Sequence, residues 1–176
     1  FSVVGKQPTR LISGVGNVLH QDDGFGVEVV RQLEKKNGLP DSVEIMETGI
    51  GGIHLVQELY NGYEVLILVD AVLRDREAGQ LYLLEADVPD INEFSFDEKS
   101  DFLADMHFTN PSRALMLAKA LKILPEKVYI LGCQPAAYQD FDLGLSEEVF
   151  KAVPYAIERL ETWVEQYYKN KENSDQ

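Results

Sequence analysis

Hydrophobic and polar positions along this chain fall into a repeating pattern of strands and helices. Residues 10–13, Arg-Leu-Ile-Ser, form a short apolar run closed by Gly14, which predicts a first strand. Beyond a glycine-rich loop, Val27, Val29, Val30 and Leu33 recur at helical spacing among Glu28, Arg31, Gln32 and Glu34. Asn37-Gly38, with Pro40 beyond, supplies a stop signal, so an amphipathic helix starts near Asp23. Residues 43–47 alternate as a strand does, the glycine-rich turn at 48–52 follows, and residues 54–59 read as a second helix. In residues 64–71 an unbroken apolar run, Val65 to Val69, precedes Asp70. Such continuity predicts a central strand covered on both faces.

The next apolar run, residues 80–85, follows too soon for a parallel crossover and predicts an antiparallel neighbour. From 86 to 106 the pattern dissolves into acidic sequence punctuated by Phe94 and Phe96, which predicts a flexible rim. Asn110-Pro111 offers a cap and a first-turn proline for a helix through Ala114, Leu115, Leu117, Ala118 and Leu121. Residues 128–133 read as another buried strand, and a polar loop at 134–145 leads to Ser146, the expected cap of a helix running to about Tyr168. The chain thus divides into a flexible leader (1–9), a single α/β domain (10–168) and a frayed polar tail (169–176). The fold class is three-layer α/β/α: a single, mostly parallel twisted sheet with one antiparallel strand and helices on both faces.

Composition supports one core: 45% of the 176 residues are apolar and 26% charged. No apolar run is long enough to span a membrane, and the first seven residues lack the marks of a secretion signal. Thirty acidic against sixteen basic residues leave a net charge of −14. The surface should therefore repel nucleic acid and anionic lipid and favour a cation or a basic protein segment. A lone cysteine, Cys133, fits a reducing compartment, and the cytoplasm is the expected location.

In sheets of this kind ligands bind beyond the carboxyl ends of the strands. That places Asp22 and Asp23, the turn from Thr48 through Gly49 and Gly51 to Gly52, Asp70, and residues 134–138 on one edge. A dinucleotide loop would require glycine where Leu19 stands, and the acidic pair at the helix start would repel a pyrophosphate. Two carboxylates with one imidazole suit a divalent transition metal, and the histidines are His20, His54 and His107. Blander roles compete: Asp22 or Asp23 as a helix cap, His20 and His54 as ordinary histidines, and Trp163, Tyr167 and Tyr168 as packing residues. Cys133 has no basic flank and is a poor nucleophile candidate. Asp70 is the hardest to dismiss, because a buried carboxylate needs a partner.

The stretches Gly14-x-Gly16-Asn17-x-Leu19-x-x-Asp22-Asp23-Gly24-x-Gly26-Val27, Thr48-Gly49 with Gly51-Gly52, Val69-Asp70-Ala71, His107 and Gly132-Cys133-Gln134-Pro135 resemble the hydrogenase maturation endopeptidases. The resemblance covers nearly the whole chain after the leader. It implies metal ligation by Asp23, Asp70 and His107, with Asp23 and Asp70 catalytic in an endopeptidase of aspartic type. Some members of that family carry Glu where Asp23 stands. Asp22, Thr48, Gly49, Gly51 and Gly52 become the expected substrate-contacting residues. The implied partner is the large-subunit precursor of a nickel–iron hydrogenase, whose C-terminal extension is cut off after a basic residue. The implied metal is nickel carried by that substrate, for which zinc or cadmium could substitute in crystals. The alternatives are a non-catalytic metal-checking chaperone module of the same fold and a small nucleotide-binding domain.

Overall fold

The computed structural model describes residues 8–17, 21–48, 52–93, 95–98, 111–136 and 144–175. Five strands, β1 (Arg10–Val15), β2 (Val43–Thr48), β3 (Val65–Ala71), β4 (Leu81–Glu85) and β5 (Lys127–Cys133), make one sheet in the order β2-β1-β3-β5-β4. All pairs are parallel except β4 with β5. The helices named among the described residues are α1 (Phe25–Lys36), α2 (Ile53–Leu59), α3 (Pro111–Ala120) and α4 (Glu147–Ser174).

The unbroken apolar run of β3 is explained by the two cores. Val65, Ile67, Val69 and Ala71 face one cluster, shared with α1 and α4, while Leu66 and Leu68 face the other, shared with α2 and α3. Side chains of a strand alternate between faces, so a strand buried on both sides has no polar positions to spare. The sheet is therefore the middle layer of the expected three.

Helix α1 lies very close to the sheet. A Cβ at Gly26 would collide with the Val69 carbonyl oxygen and stand 2.6 Å from that of Val15, and a Cβ at Gly14 would collide with the Gly26 carbonyl. Only two glycines facing each other permit this approach. The helix ends as expected at Asn37, whose left-handed backbone (φ 50°) turns its N–H onto Leu33 O.

Several expectations are corrected. The antiparallel strand β4 does not neighbour β3, because β5 occupies the place between them and β4 forms the sheet edge. Within the expected rim of 86–106, Val88 and Ile91 are buried, and Lys119 Nζ donates to Val88 O at 2.5 Å, so that part is packed against α3. Thr9, the last residue of the predicted leader, donates to Ser42 O (2.9 Å) and accepts from Glu64 N (2.8 Å). Helix α4 continues six residues past Tyr168, through the predicted tail. Its last turns have partners: Lys171 pairs with Glu64 at 3.1 Å, and Tyr167 and Tyr168 clasp the guanidinium of Arg10 at 4.1 and 3.9 Å from the ring centroids. Arg10, 2% exposed, is held by these ring faces rather than by an acidic partner. Trp163 stacks on Tyr167 at 5.2 Å, so the aromatic stripe packs the fold as expected.

The helix–sheet approach predicts that Gly26→Ala destabilises by about 2 kcal/mol or more, the cost of forcing an extra methyl into a filled core. Urea denaturation monitored by circular dichroism measures it, and an unchanged midpoint would show that α1 has room to shift.

Candidate functional site

The chain runs from β1 to β2 on one side and later to β3 on the other, so strand order reverses between β1 and β3. Ligand crevices form at such switch points. Both carboxylates of interest stand there. Beyond β1, Gly16 takes φ 136°, and a Cβ on it would collide with the backbone carbonyl of Asp23. The loop thus folds back on its own far end. The Asn17 N–H donates to Asp23 Oδ2 at 2.9 Å, and a 3-10 turn, Gln21–Gly24, presents Asp23 before α1 begins at Phe25. Val18, Leu19 and His20 lie outside the described residues.

Asp70 arrives on β3. It and Asp23 line a cleft of about 530 Å³ together with Thr48, Gly52 and Arg74, with Pro111 and Ser112 of α3 contributing to the wall. Burial pushes the Asp70 carboxyl up to about 8; the negative charge of Asp23 pushes the same way, and the Ala71 N–H partly offsets both. A carboxylate pair strained in this manner favours a cation between its members. The phosphate reading has no support: the loop N–H of Asn17 that an anion would need is already donated to Asp23.

Asp22 is corrected. Expected to touch substrate, it is fully buried and faces the protein body. Its Oδ2 accepts from Ala136 N and Ser146 Oγ, both at 2.8 Å, and its Oδ1 accepts from Ser146 N at 2.7 Å. Ser146, expected to cap α4 with its hydroxyl, spends that hydroxyl on Asp22 instead. Thr48 lines the cleft but is 1% exposed, its hydroxyl bonded to that of Ser13. Gly52 lies at the start of α2 with φ 62°, a conformation that favours glycine. His54 is exposed on α2, as an ordinary surface histidine would be. Burial pushes the Cys133 thiol up to about 12, in line with a poor nucleophile. His107, Gly49 and Gly51 lie outside the described residues. Among the described residues no group of three His, Cys, Asp or Glu side chains is placed to hold a metal ion.

One contributor, Arg74, escaped sequence reasoning, and a second, Gln134, was placed on the ligand edge without a role. Arg74 lines the cleft from the β3–β4 connection, and Gln134 holds that connection by accepting from Arg74 N (2.7 Å) and Arg76 N (3.3 Å) with Oε1. The available signal for Gln134 was its place just after β5, among the strand-following residues.

The fold and cleft define an α/β protein with paired carboxylates at the switch point of its sheet. The model of the hydrogenase maturation protease family matches residues 27–163. The chain is 38% identical over 161 residues to a Methanocaldococcus jannaschii protein whose name places it provisionally among hydrogenase maturation proteases, covering 87% of this chain and 94% of that one. It is 33% identical over 151 residues to the hydrogenase expression/formation protein HupD of Rhizobium leguminosarum bv. viciae, covering 86% and 71%. The solved hydrogenase maturating endopeptidase HybD of E. coli superposes with a TM-score of 0.71 at 25% identity, covering 90% of this chain and 93% of that one. The chain belongs to the hydrogenase maturation protease family, a family of endopeptidases. Among the described residues no helix is long and apolar enough to cross a membrane.

Two predictions follow from the two adjacent aspartates and their neighbour on β3. Asp22→Ala leaves three donors without their acceptor and should cost about 3 kcal/mol, read as a lowered thermal midpoint. Asp70→Asn should do the opposite. Because the folded protein holds the Asp70 proton more tightly than the unfolded chain, the stability that this proton confers is complete below the usual carboxylate range and is lost as pH rises through about 8. The variant escapes that loss, so its thermal midpoint should exceed that of the parent by a margin that grows between pH 5 and about 8. A margin independent of pH would show that Asp70 titrates normally.

Proposed function

We propose that this endopeptidase matures a nickel–iron hydrogenase in the cytoplasm by cutting the C-terminal extension from the large-subunit precursor once nickel has been inserted. The observation that carries this reading is the sharing of one cleft by Asp23 and Asp70, with the Asp70 carboxyl pushed up to about 8. Without a cation, Asp70 keeps its proton near neutral pH and the pair is unsuited to ligation. Nickel arriving on the substrate displaces that proton and docks between the two carboxylates, with His107 as the third ligand. The metal belongs to the substrate, so a precursor that lacks it presents nothing for the cleft to hold.

In the cutting step, an aspartate carboxylate takes a proton from a water molecule as the water oxygen attacks the carbonyl carbon of the basic residue itself. The C–N bond breaks, and the proton passes to the leaving amine. Nickel close to the scissile carbonyl would stabilise the charge that develops on its oxygen.

The test mixes the protein with precursor, loaded or unloaded, and follows peptide release by mass spectrometry. Release should require nickel, and Asp23→Asn, Asp70→Asn and His107→Ala should each lower the rate by about 100-fold or more while leaving the fold intact. Equal cutting of empty and loaded precursor would overturn the reading. Calorimetry on the isolated protein should find weak nickel binding that tightens as pH rises towards 8, because Asp70 must lose its proton to ligate. Tight binding without substrate would place the metal in the enzyme instead.

A further inference from the structure

The connection between β3 and β4 carries two arginines in a strongly acidic protein. Arg31, Lys36, Lys127, Lys151, Lys169 and Lys171 all pair with carboxylates. Among the described residues, Arg74 and Arg76, like Lys35, Lys122 and Arg159, have no such partner, although Asp75 stands between the two arginines. Both are exposed, and Arg74 lines the same cleft as Asp23 and Asp70, beside Leu73, which is 66% exposed.

The loop that bears them is stiff. Val72 N donates to Cys133 O (2.9 Å), Tyr82 OH donates to Val72 O (2.7 Å), Gly79 N donates to Gln134 O (2.8 Å), and Gln134 Oε1 accepts both arginine N–H groups. The ring of Tyr82 lies 5.9 Å from the Arg74 guanidinium and 5.7 Å from that of Arg76, so one aromatic ring is within reach of both. Arg74 is thereby held at the lip of a cleft that also holds two carboxylates, and Arg76 lines an adjoining depression that Arg74 shares.

We propose that Arg74 and Arg76 bind a carboxylate-bearing part of the C-terminal extension that is cut away, and so fix the direction in which the substrate chain lies across the cleft. The proposal rests on the peptidase reading above. The substrate segment bearing metal and a basic residue is drawn to Asp23 and Asp70 and repelled by the arginines. An acidic side chain or the terminal carboxylate, which only the extension possesses, is drawn the other way. Guanidinium meets carboxylate in a two-pronged geometry that specifies orientation as well as attraction.

The experiment uses the full chain and its Arg74→Gln, Arg76→Gln and doubly substituted forms. Binding is measured by fluorescence anisotropy against a synthetic peptide of the precursor's extension, and against the same peptide amidated at its end with its acids replaced by amides. The double variant should bind the natural peptide about tenfold more weakly. The neutral peptide should bind both proteins at that weaker level, and added salt should erode the natural peptide's advantage. With loaded precursor, KM should rise about tenfold in the double variant while kcat changes less than about threefold. Both substitutions are at exposed positions, and a circular dichroism melt checks that the fold is kept. Equal binding of the natural peptide by parent and double variant would overturn the proposal. Failure of the parent to cut loaded precursor would instead overturn the peptidase reading, and the peptide measurements would still decide the role of the arginines.

Discussion

The backbone contact of Gly26 with the carbonyl groups of Val15 and Val69 is the constraint on which the rest of the molecule depends. It lowers α1 onto β1 and β3 until main chain meets main chain. The turn just before the helix is then delivered to the carboxyl end of β3. Were α1 to ride at the usual distance set by side chains, Asp23 would stand clear of Asp70 and the two would cease to share a cleft. The doubly covered strands β1 and β3 supply the rigid floor that makes so close a fit sustainable.

Much of this was legible in the sequence because the signals are local. The apolar continuity of residues 65–69 announced a strand with two covered faces, and Asn37 announced the end of α1. The antiparallel sense of β4 followed from the short connection before it. Its neighbour did not, since connection length says nothing about a strand formed some forty residues later that inserts between the two. The continuation of α4 depends on Glu64 and Arg10, which are remote in sequence, so helical periodicity in the tail alone could not reveal it.

The site shows the same division. Asp70 stood out because a carboxylate at the end of an apolar run demands an explanation. Asp22 and Asp23 are alike in composition and adjacent, yet the 3-10 turn points one into the cleft and the other into the body of the protein. No pattern of polarity separates two neighbours of the same kind. Ser146 followed by two acids reads as a cap, and only the fold shows that its hydroxyl is engaged elsewhere. Arg74 and Arg76 looked like any charged loop, because lack of a partner is a property of three-dimensional surroundings.

The burial of Asp22 bears on when this protease becomes competent during its own synthesis. Asp22 is held by groups 114 and 124 positions further along the chain. A nascent chain emerging from the ribosome exposes β1, β3 and both cleft carboxylates long before Ala136 and Ser146 have been made. Until then the turn carrying Asp23 lacks its anchor, and Asp22 remains in water rather than locking the turn in place. Competence is thus tied to synthesis through Ser146, so that a product truncated before it would carry both cleft aspartates without the contacts that anchor the turn bearing Asp23.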